Sequence, residues 1–195
     1  MRTRLAIFAS GSGSNAENII SYFRDSQEVS ISLILTNNPS AGVIERADRL
    51  GIECCVFSKE EFYSSKRIQN LLKEREVDFV VLAGFLLLVP PSLIQTYKGK
   101  IINIHPALLP AFGGKGFYGD RVHAAVLESG QSMSGISIHH VTEKFDEGGI
   151  IFQAACHVDR KDSIKSLALK IHALEYKFFP VVLEKMISVQ NAPHE

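Results

Sequence analysis

Short apolar runs alternate with amphipathic segments along the first half of the sequence. The predicted strands are residues 5–9, 29–35, 52–57, 77–83 and 101–104, and the predicted helices are 16–24, 41–50 and 58–75. The run at 77–83 is apolar at nearly every position, which is typical of a strand that is covered on both faces. Strands that alternate with helices over short connections predict parallel βαβ units.

The second half predicts a different arrangement. Residues 134–141 and 150–158 are predicted to form two strands joined by a glycine-containing link. Asp162 or Ser163 is expected to cap a long helix that runs to about residue 188, with Pro180 bending it. We therefore expect an α/β fold with a Rossmann-like, mostly parallel twisted sheet, helices on both faces, a C-terminal antiparallel strand pair and a long terminal helix.

Composition narrows the class of protein. A chain of 195 residues fits one domain, which we assign as 1–195. The formal net charge is zero and no Lys/Arg tract is present, which argues against nucleic acid as a partner. The apolar run at the start is too short for a signal peptide or a membrane span, and the three cysteines suggest reduced thiols. We expect a cytoplasmic protein without membrane contact, either a monomer or a homodimer.

The first candidate site follows the first predicted strand. Gly11 and Gly13 alternate with serines before Ser14 and Asn15, where a helix is expected to begin. Backbone N–H groups at such a helix start can bind phosphate, although a plain glycine-rich turn has the same composition. The stretch also fits a dinucleotide fingerprint, but the next strand ends in Thr36-Asn37-Asn38 without the required carboxylate. A monophosphate site is the better interpretation.

A second candidate site lies at the end of the strand predicted at 101–104. Asn103 and His105 are two residues apart, so their side chains are expected on the same side of the strand. An amide and an imidazolium can stabilise an oxyanion together, and the imidazole can also transfer protons. Asp146, in the link between the last two strands, can orient His105 and raise its pKa, although an acidic surface turn would have the same sequence.

Six motifs, in this order, resemble the glycinamide ribonucleotide formyltransferases, folate-dependent enzymes of purine synthesis. They are GSGSN at 11–15, VVLAGF at 80–85, INIHPALLP at 102–110, ISIHHV at 136–141, FDEGG at 145–149 and HALEYKFFP at 172–180. The combination of Asn-x-His with a later Asp-x-Gly-Gly is specific to folate formyltransferases and their hydrolase relatives. The resemblance implies transfer of the formyl group of 10-formyltetrahydrofolate to the amine of 5-phosphoribosylglycinamide.

The resemblance also implies roles for individual residues. It makes Asn103, His105 and Asp146 catalytic, with His139 in a supporting role and no metal. The residues implied to bind the ribonucleotide are Gly13, Ser14, Asn15 and Glu175, and those implied to bind folate are Leu86, Leu87, Leu88, Val89 and Asn103.

Two departures and three alternatives accompany the resemblance. The family arginine that meets the folate tail aligns with Glu61, with Lys66 or Arg67 nearby, and the glycine-rich loop around Lys115 is longer than in the common form. The alternatives are a formyl-folate hydrolase, a methionyl-tRNA formyltransferase and a non-catalytic phosphate-binding module. The first two carry an additional domain that the sequence analysis does not find.

Overall fold

A computed structural model describes residues 2–191 of the chain. The strands are β1 (Thr3–Phe8), β2 (Val29–Thr36), β3 (Cys54–Val56), β4 (Phe79–Leu82), β5 (Ile101–His105), β6 (Met133–His140) and β7 (Ile150–His157). The helices are α1 (Ser14–Phe23), α2 (Val43–Leu50), α3 (Lys59–Ser64), α4 (Arg67–Glu74), α5 (Pro91–Thr96), α6 (Asp120–Glu128) and α7 (Ile164–Asn191). Met1 and residues 192–195, which belong to the domain assigned as 1–195, lie outside the described residues.

The strands form one sheet in the order β3-β2-β1-β4-β5-β6-β7. Neighbours from β3 through β5 run parallel, and β6 and β7 are added antiparallel beside β5. The chain leaves β1 towards β2 and β3 on one side and later forms β4 and β5 on the other side, so the strand order reverses between β1 and β4. Ligands of open α/β sheets bind at such a reversal, beyond the carboxyl ends of the strands.

Side chains of β1 alternate between two cores. Leu5 and Ile7 belong to a core that includes buried residues of α1, α2, α6 and α7. Ala6 and Phe8 belong to a second core, which takes buried residues from α3, α4 and α5. Because successive strand residues point to opposite faces, helices cover both faces of the sheet. The predicted fold class is confirmed, including the antiparallel pair and the long terminal helix.

The single helix predicted over residues 58–75 is wrong. The predicted capping box is present, because Ser58 and Glu61 exchange backbone-to-side-chain hydrogen bonds of 3.1 and 2.7 Å. Helix α3 nevertheless ends at Ser64, and Ser65 has an extended backbone. The Ser65 hydroxyl donates to the carbonyl of Glu61 at 2.8 Å and accepts from the N–H of Arg67 at 3.2 Å. This one side chain replaces the backbone hydrogen bonds that a continuous helix would have made there.

The end of α2 and the start of α7 agree with the sequence-based prediction. Gly51 ends α2 with φ of 67°, in the left-handed conformation that glycine adopts without steric cost. Ser163 caps α7 by accepting from the N–H of Ser166 at 3.1 Å, and Pro180 lies inside that helix. Helices α5 and α6 were not predicted. No helix within residues 2–191 combines the length and the apolar character needed to cross a membrane.

Candidate active site

A cleft of about 610 Å³ opens beyond the carboxyl ends of β1, β4 and β5. The predicted site residues that line this cleft are Gly13, Ser14, Asn15, Leu86, Leu87, Leu88, Val89, Asn103, His105, His139, Asp146 and Glu175. The reversal of strand order thus brings together every residue that the sequence analysis assigned to a site. We refer to its two parts as the phosphate end, at Gly13–Asn15 and Glu175, and the carbonyl end, at Asn103, His105, His139 and Asp146.

The phosphate end is built on the start of α1. Gly13 precedes the helix with φ of 77°, and a Cβ there would lie 2.4 Å from Cγ2 of Val43. Only glycine fits this combination of left-handed backbone and close approach. The N–H groups of the first helical turn have no carbonyl partner within their own helix, so they are available to an anion. Neither Ser14 nor Asn15 caps the helix with its side chain.

Glu175 closes the phosphate end from α7. Its side chain is only 6% exposed, and its Oε2 accepts from Nδ2 of Asn15 at 2.9 Å. The same oxygen also lies 2.9 Å from Nδ1 of His172, one helical turn earlier. A buried carboxylate is costly unless it is hydrogen-bonded, and these two donors meet that requirement. The carboxylate is therefore held at a fixed position beside the start of α1.

At the carbonyl end, β5 and β6 place Asn103 opposite His139. Nδ1 of His139 lies 2.8 Å from the carbonyl of His140, so it carries a proton and donates. In the neutral ring, Nε2 then accepts from Nδ2 of Asn103, 3.0 Å away. Nδ2 of Asn103 also lies 3.4 Å from Oδ1 of Asp146. His139 therefore orients the Asn103 amide, while His140 points away from the cleft, as strand alternation requires.

Asp146 lies between the two histidines. Its Oδ2 is 3.5 Å from Nδ1 of His105, and its Oδ1 is 3.5 Å from Nε2 of His139. Nε2 of His105 lies 2.8 Å from the carbonyl of Phe112. Both nitrogens of His105 thus face acceptors, an arrangement that suits the doubly protonated ring. The predicted approach of Asp146 to His105 is present in the structure.

Burial has the largest effect on the pKa of His105. It lowers the pKa of His105, and this effect outweighs the opposing influence of the Asp146 carboxylate and the Phe112 carbonyl. The raised pKa predicted from the sequence is therefore wrong, because His105 is only 3% exposed and its burial outweighs the nearby carboxylate. Burial raises the pKa of Asp146, but His139, His105 and the N–H of Gly114 together outweigh this effect. The net pKa of Asp146 is therefore lowered. The surroundings therefore favour the ionised form of the Asp146 carboxyl and the neutral form of the His105 ring.

The loop carrying Asp146 has little freedom. Asp146 has φ of 56°, a left-handed conformation that Asp and Asn tolerate better than most residues. A Cβ on Gly148 would lie 1.7 Å from the carbonyl oxygen of His140, whereas one on Gly149 would meet nothing within 4 Å. The N–H of Gly114 donates to Oδ2 of Asp146 at 2.9 Å. The first glycine of the motif therefore serves a close backbone contact, and the glycine-rich loop binds the carboxylate directly.

The segment after β4 forms one wall of the cleft. The N–H of Leu86 donates to the Ser10 hydroxyl at 3.0 Å, and the Tyr63 hydroxyl donates to the carbonyl of Leu88 at 2.9 Å. Leu86 is 47% exposed, whereas Val89 is 2% exposed. The wall thus presents apolar surface while its backbone is fixed by side chains of neighbouring elements.

The two departures from the resemblance have different surroundings. Glu61 takes part in the capping box and forms an ion pair with Arg67, so both are occupied in the α3–α4 region. Lys115 lines the cleft, in the glycine-rich loop that precedes α6. In the first turn of α6, the guanidinium of Arg121 lies 4.8 Å from the ring centroid of Tyr118, and both also line the cleft.

Comparisons with known proteins agree with this geometry. The sequence model of the family described as "Formyl transferase" matches residues 3–183. The chain belongs to this family. It is 36% identical to the phosphoribosylglycinamide formyltransferase of Bacillus subtilis, an alignment that covers 96% of each chain. It is 43% identical to the chloroplastic phosphoribosylglycinamide formyltransferase of Arabidopsis thaliana, covering 93% of this chain but only 64% of the relative's length.

Solved structures give the same result. The crystal structure of phosphoribosylglycinamide formyltransferase from Bacillus halodurans superposes with a TM-score of 0.86 at 39% identity, covering 95% of this chain and 96% of that one. Glycinamide ribonucleotide transformylase 1 from Geobacillus kaustophilus also gives 0.86, at 37% identity, covering 96% of this chain and 100% of that one. The resemblance inferred from the six motifs is confirmed.

Two histidines outside the predicted site, His123 and His172, also line the cleft. His123 lies on α6, is 3% exposed, and has no hydrogen-bond partner for Nδ1 within residues 2–191. His172 contacts Glu175, as described above. The spacing of three residues between His172 and Glu175 on a predicted helix was a usable signal, whereas α6 itself was not predicted. No group of three or more metal-ligating side chains occurs in the described part of the chain.

Proposed function

We propose that the chain transfers the formyl group of 10-formyltetrahydrofolate to the amine of 5-phosphoribosylglycinamide. The products are formylglycinamide ribonucleotide and tetrahydrofolate, in de novo purine synthesis. Formyl transfer is the activity of the family to which the chain belongs, and relatives that match it nearly end to end are named for this reaction. The observation that carries the proposal is that Asn103, His105 and Asp146 converge in one cleft with the helix start at Ser14.

The two ends of the cleft suit the two substrates. The phosphate of the ribonucleotide binds the N–H groups of Gly13, Ser14 and Asn15, where the helix dipole favours an anion. Glu175 binds the ribose or glycinamide portion. The folate ring lies against the apolar wall formed by Leu86, Leu87, Leu88 and Val89 and reaches Asn103, so its formyl carbon lies near His105.

The reaction develops negative charge on the formyl oxygen, close to His105. The amine nitrogen bonds to the formyl carbon, and the carbonyl electron pair moves to oxygen. His105 takes up a proton from solvent as this charge forms and returns it to solvent when the carbonyl re-forms; the imidazolium is stabilised meanwhile because both of its nitrogens face acceptors. Asn103 donates to the same oxygen once the substrate replaces its 3.4 Å contact with Asp146. Loss of one such donor typically costs about 3–4 kcal/mol.

Asp146 completes the transfer. Its carboxylate, directly or through one water molecule, takes the proton that the amine loses and stabilises the imidazolium of His105. The C–N10 bond then breaks, and the proton passes to N10 of the leaving tetrahydrofolate. Alignment of both substrates in one cleft supplies a further large share of the rate. The residues require no covalent intermediate and no metal for these steps.

The remaining assignments belong to the same proposal. Residues 1–195 act as one formyltransferase domain with small-molecule substrates and without nucleic acid, as a monomer or a homodimer. We place the enzyme in the cytoplasm, which three free cysteines favour, since reducing compartments keep thiols unpaired.

The decisive experiment follows the absorbance change on formyl-folate conversion with and without 5-phosphoribosylglycinamide. We expect conversion only when both substrates are present, with formylglycinamide ribonucleotide formed in equal amount to tetrahydrofolate. Conversion that ignores the ribonucleotide and releases formate would instead identify a hydrolase. Binding of both ligands without any conversion would identify a non-catalytic module, and either result would end the proposal.

A further inference from the structure

The phosphate end contains a histidine to which neither the family match nor the proposed reaction gives a role. His172 lines the cleft on α7, one turn before Glu175. Its Nδ1 lies 2.9 Å from Oε2 of Glu175. Its ring stacks on Tyr176 at 6.0 Å between centroids and 11° between planes. The ring is therefore held on one side by an aromatic face and on another by a carboxylate.

The hydrogen bonds of Glu175 are distributed unequally between its two oxygens. Oε2 accepts from both Asn15 and His172, each at 2.9 Å. Within residues 2–191, Oε1 has no hydrogen-bond donor. Two donors on one oxygen fix the rotation of the carboxylate and direct the other oxygen to a ligand. Asn15 is neutral, so His172 is the one donor of this pair that can supply charge.

The surroundings of His172 favour its charged form. The pKa of His172 is raised, first by the hydrogen bond with Glu175 and also by the charges of Glu175 and Asp120. Across from it on α6, burial and the nearness of His172 lower the pKa of His123. From α1, the contacting side chain is the uncharged Asn15. Of the two histidines, His172 is therefore the one whose surroundings favour the charged form, and it is the one bonded to Glu175.

We propose that His172 is a positioning residue, which holds the Glu175 carboxylate in the orientation that binds the ribose–glycinamide part of the ribonucleotide. The inference rests on the proposed function and deepens it. His172 acts through Glu175 and has no direct contact with the reacting atoms. Its side chain is 44% exposed, so its removal affects substrate binding far more than folding.

Steady-state kinetics of single and double variants test this role. In His172→Ala we expect the KM for the ribonucleotide to rise about five- to tenfold, because a hydrogen bond to a charged group is lost at a half-exposed site. The kcat and the KM for the folate are expected to change less than twofold. His172→Asn places an amide N–H at the position of Nδ1 and is expected to recover most of the affinity.

A double-mutant cycle separates action through Glu175 from a direct contact with the substrate. In a Glu175→Ala background, His172→Ala is expected to change the KM for the ribonucleotide less than twofold. An additional five- to tenfold rise there, or a His172→Asn protein no better than His172→Ala, would overturn the positioning role. His157→Ala is the matched control, since His157 also lies near a carboxylate, 3.3 Å from Asp159, but outside the cleft.

A measurement without turnover keeps this inference separate from the proposed function. The pKa of the His172 imidazole, followed by NMR, is expected to fall in Glu175→Ala. An unchanged pKa would refute the contact even in an active enzyme. A pKa that falls, in a protein that does not transfer formyl groups, would refute the proposed function and leave the contact between His172 and Glu175 standing.

Discussion

The two ends of the cleft are built on different principles. At the carbonyl end, four side chains from β5, β6 and the β6–β7 link contact one another within 3.0 to 3.5 Å. At the phosphate end, the proposed binding groups are backbone N–H groups of one helix start, and the Glu175 carboxylate is hydrogen-bonded to Asn15 beside them. The first end depends on side-chain chemistry, and the second depends on backbone shape. Substitutions should therefore affect the two ends in different kinetic constants.

The largest effect is expected from removing charge at the carbonyl end. Asp146→Asn and His105→Ala should each lower kcat by about 10²- to 10⁴-fold, the range typical of lost acid–base or oxyanion groups. The KM for the ribonucleotide should change less than about threefold, because neither residue belongs to the phosphate end. Steady-state kinetics with both substrates varied measure this split.

The Asp146→Asn variant is the cleaner of the two. Asn tolerates the left-handed backbone of Asp146, so the loop is not expected to move. Asp159→Asn serves as control, because it removes an exposed carboxylate that also faces a histidine. If Asp146→Asn retained the wild-type kcat, the carbonyl end would not be the reacting centre.

Much of this architecture could be predicted from local sequence. Alternation along β5 placed Asn103 and His105 on one side, and the Ser58–Glu61 capping box correctly gave the start of α3. The break at Ser65 was missed because its hydroxyl replaces backbone hydrogen bonds, which no periodicity reports. The fall in the pKa of His105 was also missed, because it results from burial by segments distant in the chain.

Contacts between distant segments set the limit of prediction. That Asp146 approaches His105 was a hypothesis from the sequence, since 41 residues separate them. That the glycine-rich loop donates to Asp146 and accepts from His105 had no local signal. Two backbone groups of this loop, the carbonyl of Phe112 and the N–H of Gly114, bind His105 and Asp146.

The second-largest effect is expected at the phosphate end, from a substitution that alters the backbone at Gly13 without changing any charge. Gly13→Ala places a methyl group 2.4 Å from Cγ2 and 2.8 Å from Cα of Val43, at a φ of 77°. We expect the KM for the ribonucleotide to rise about 10- to 100-fold, because the helix start must shift away from the phosphate. The stability should fall by about 1–3 kcal/mol. The kcat at saturation should change little.

Gly11→Ala provides the matched control for this shape argument. Gly11 lies in the same turn, but a Cβ there would meet nothing within 4 Å, and its φ is not in the left-handed region. Its KM is expected to stay within about twofold of the wild-type value. Equal effects of the two substitutions would show that the glycines matter through flexibility and not through the fixed contact with Val43.

The smallest effect is a difference in the sign of the pH dependence between the buried histidines, His105 and His123, and the carboxylate-bound His172. Burial lowers the pKa values of His105 and His123 in the folded protein, so below about pH 6.5 the unfolded chain binds more protons at these positions. Their contribution to stability therefore falls as the pH falls. The pKa of His172 is raised, so its contribution is fully present below about pH 6.5 and is lost as the pH rises through its folded pKa.

Urea unfolding between pH 7.5 and 5.5 measures these opposite slopes. His123→Gln should reduce the loss of stability on acidification, whereas His172→Asn should increase it, with the smaller change in His172→Asn because solvent screens its half-exposed ring. The slope is the informative quantity, since either substitution also changes packing at both pH values equally. Slopes that move in the same direction in both variants would contradict the distinction between a histidine whose pKa is lowered by burial and one whose pKa is raised by a carboxylate.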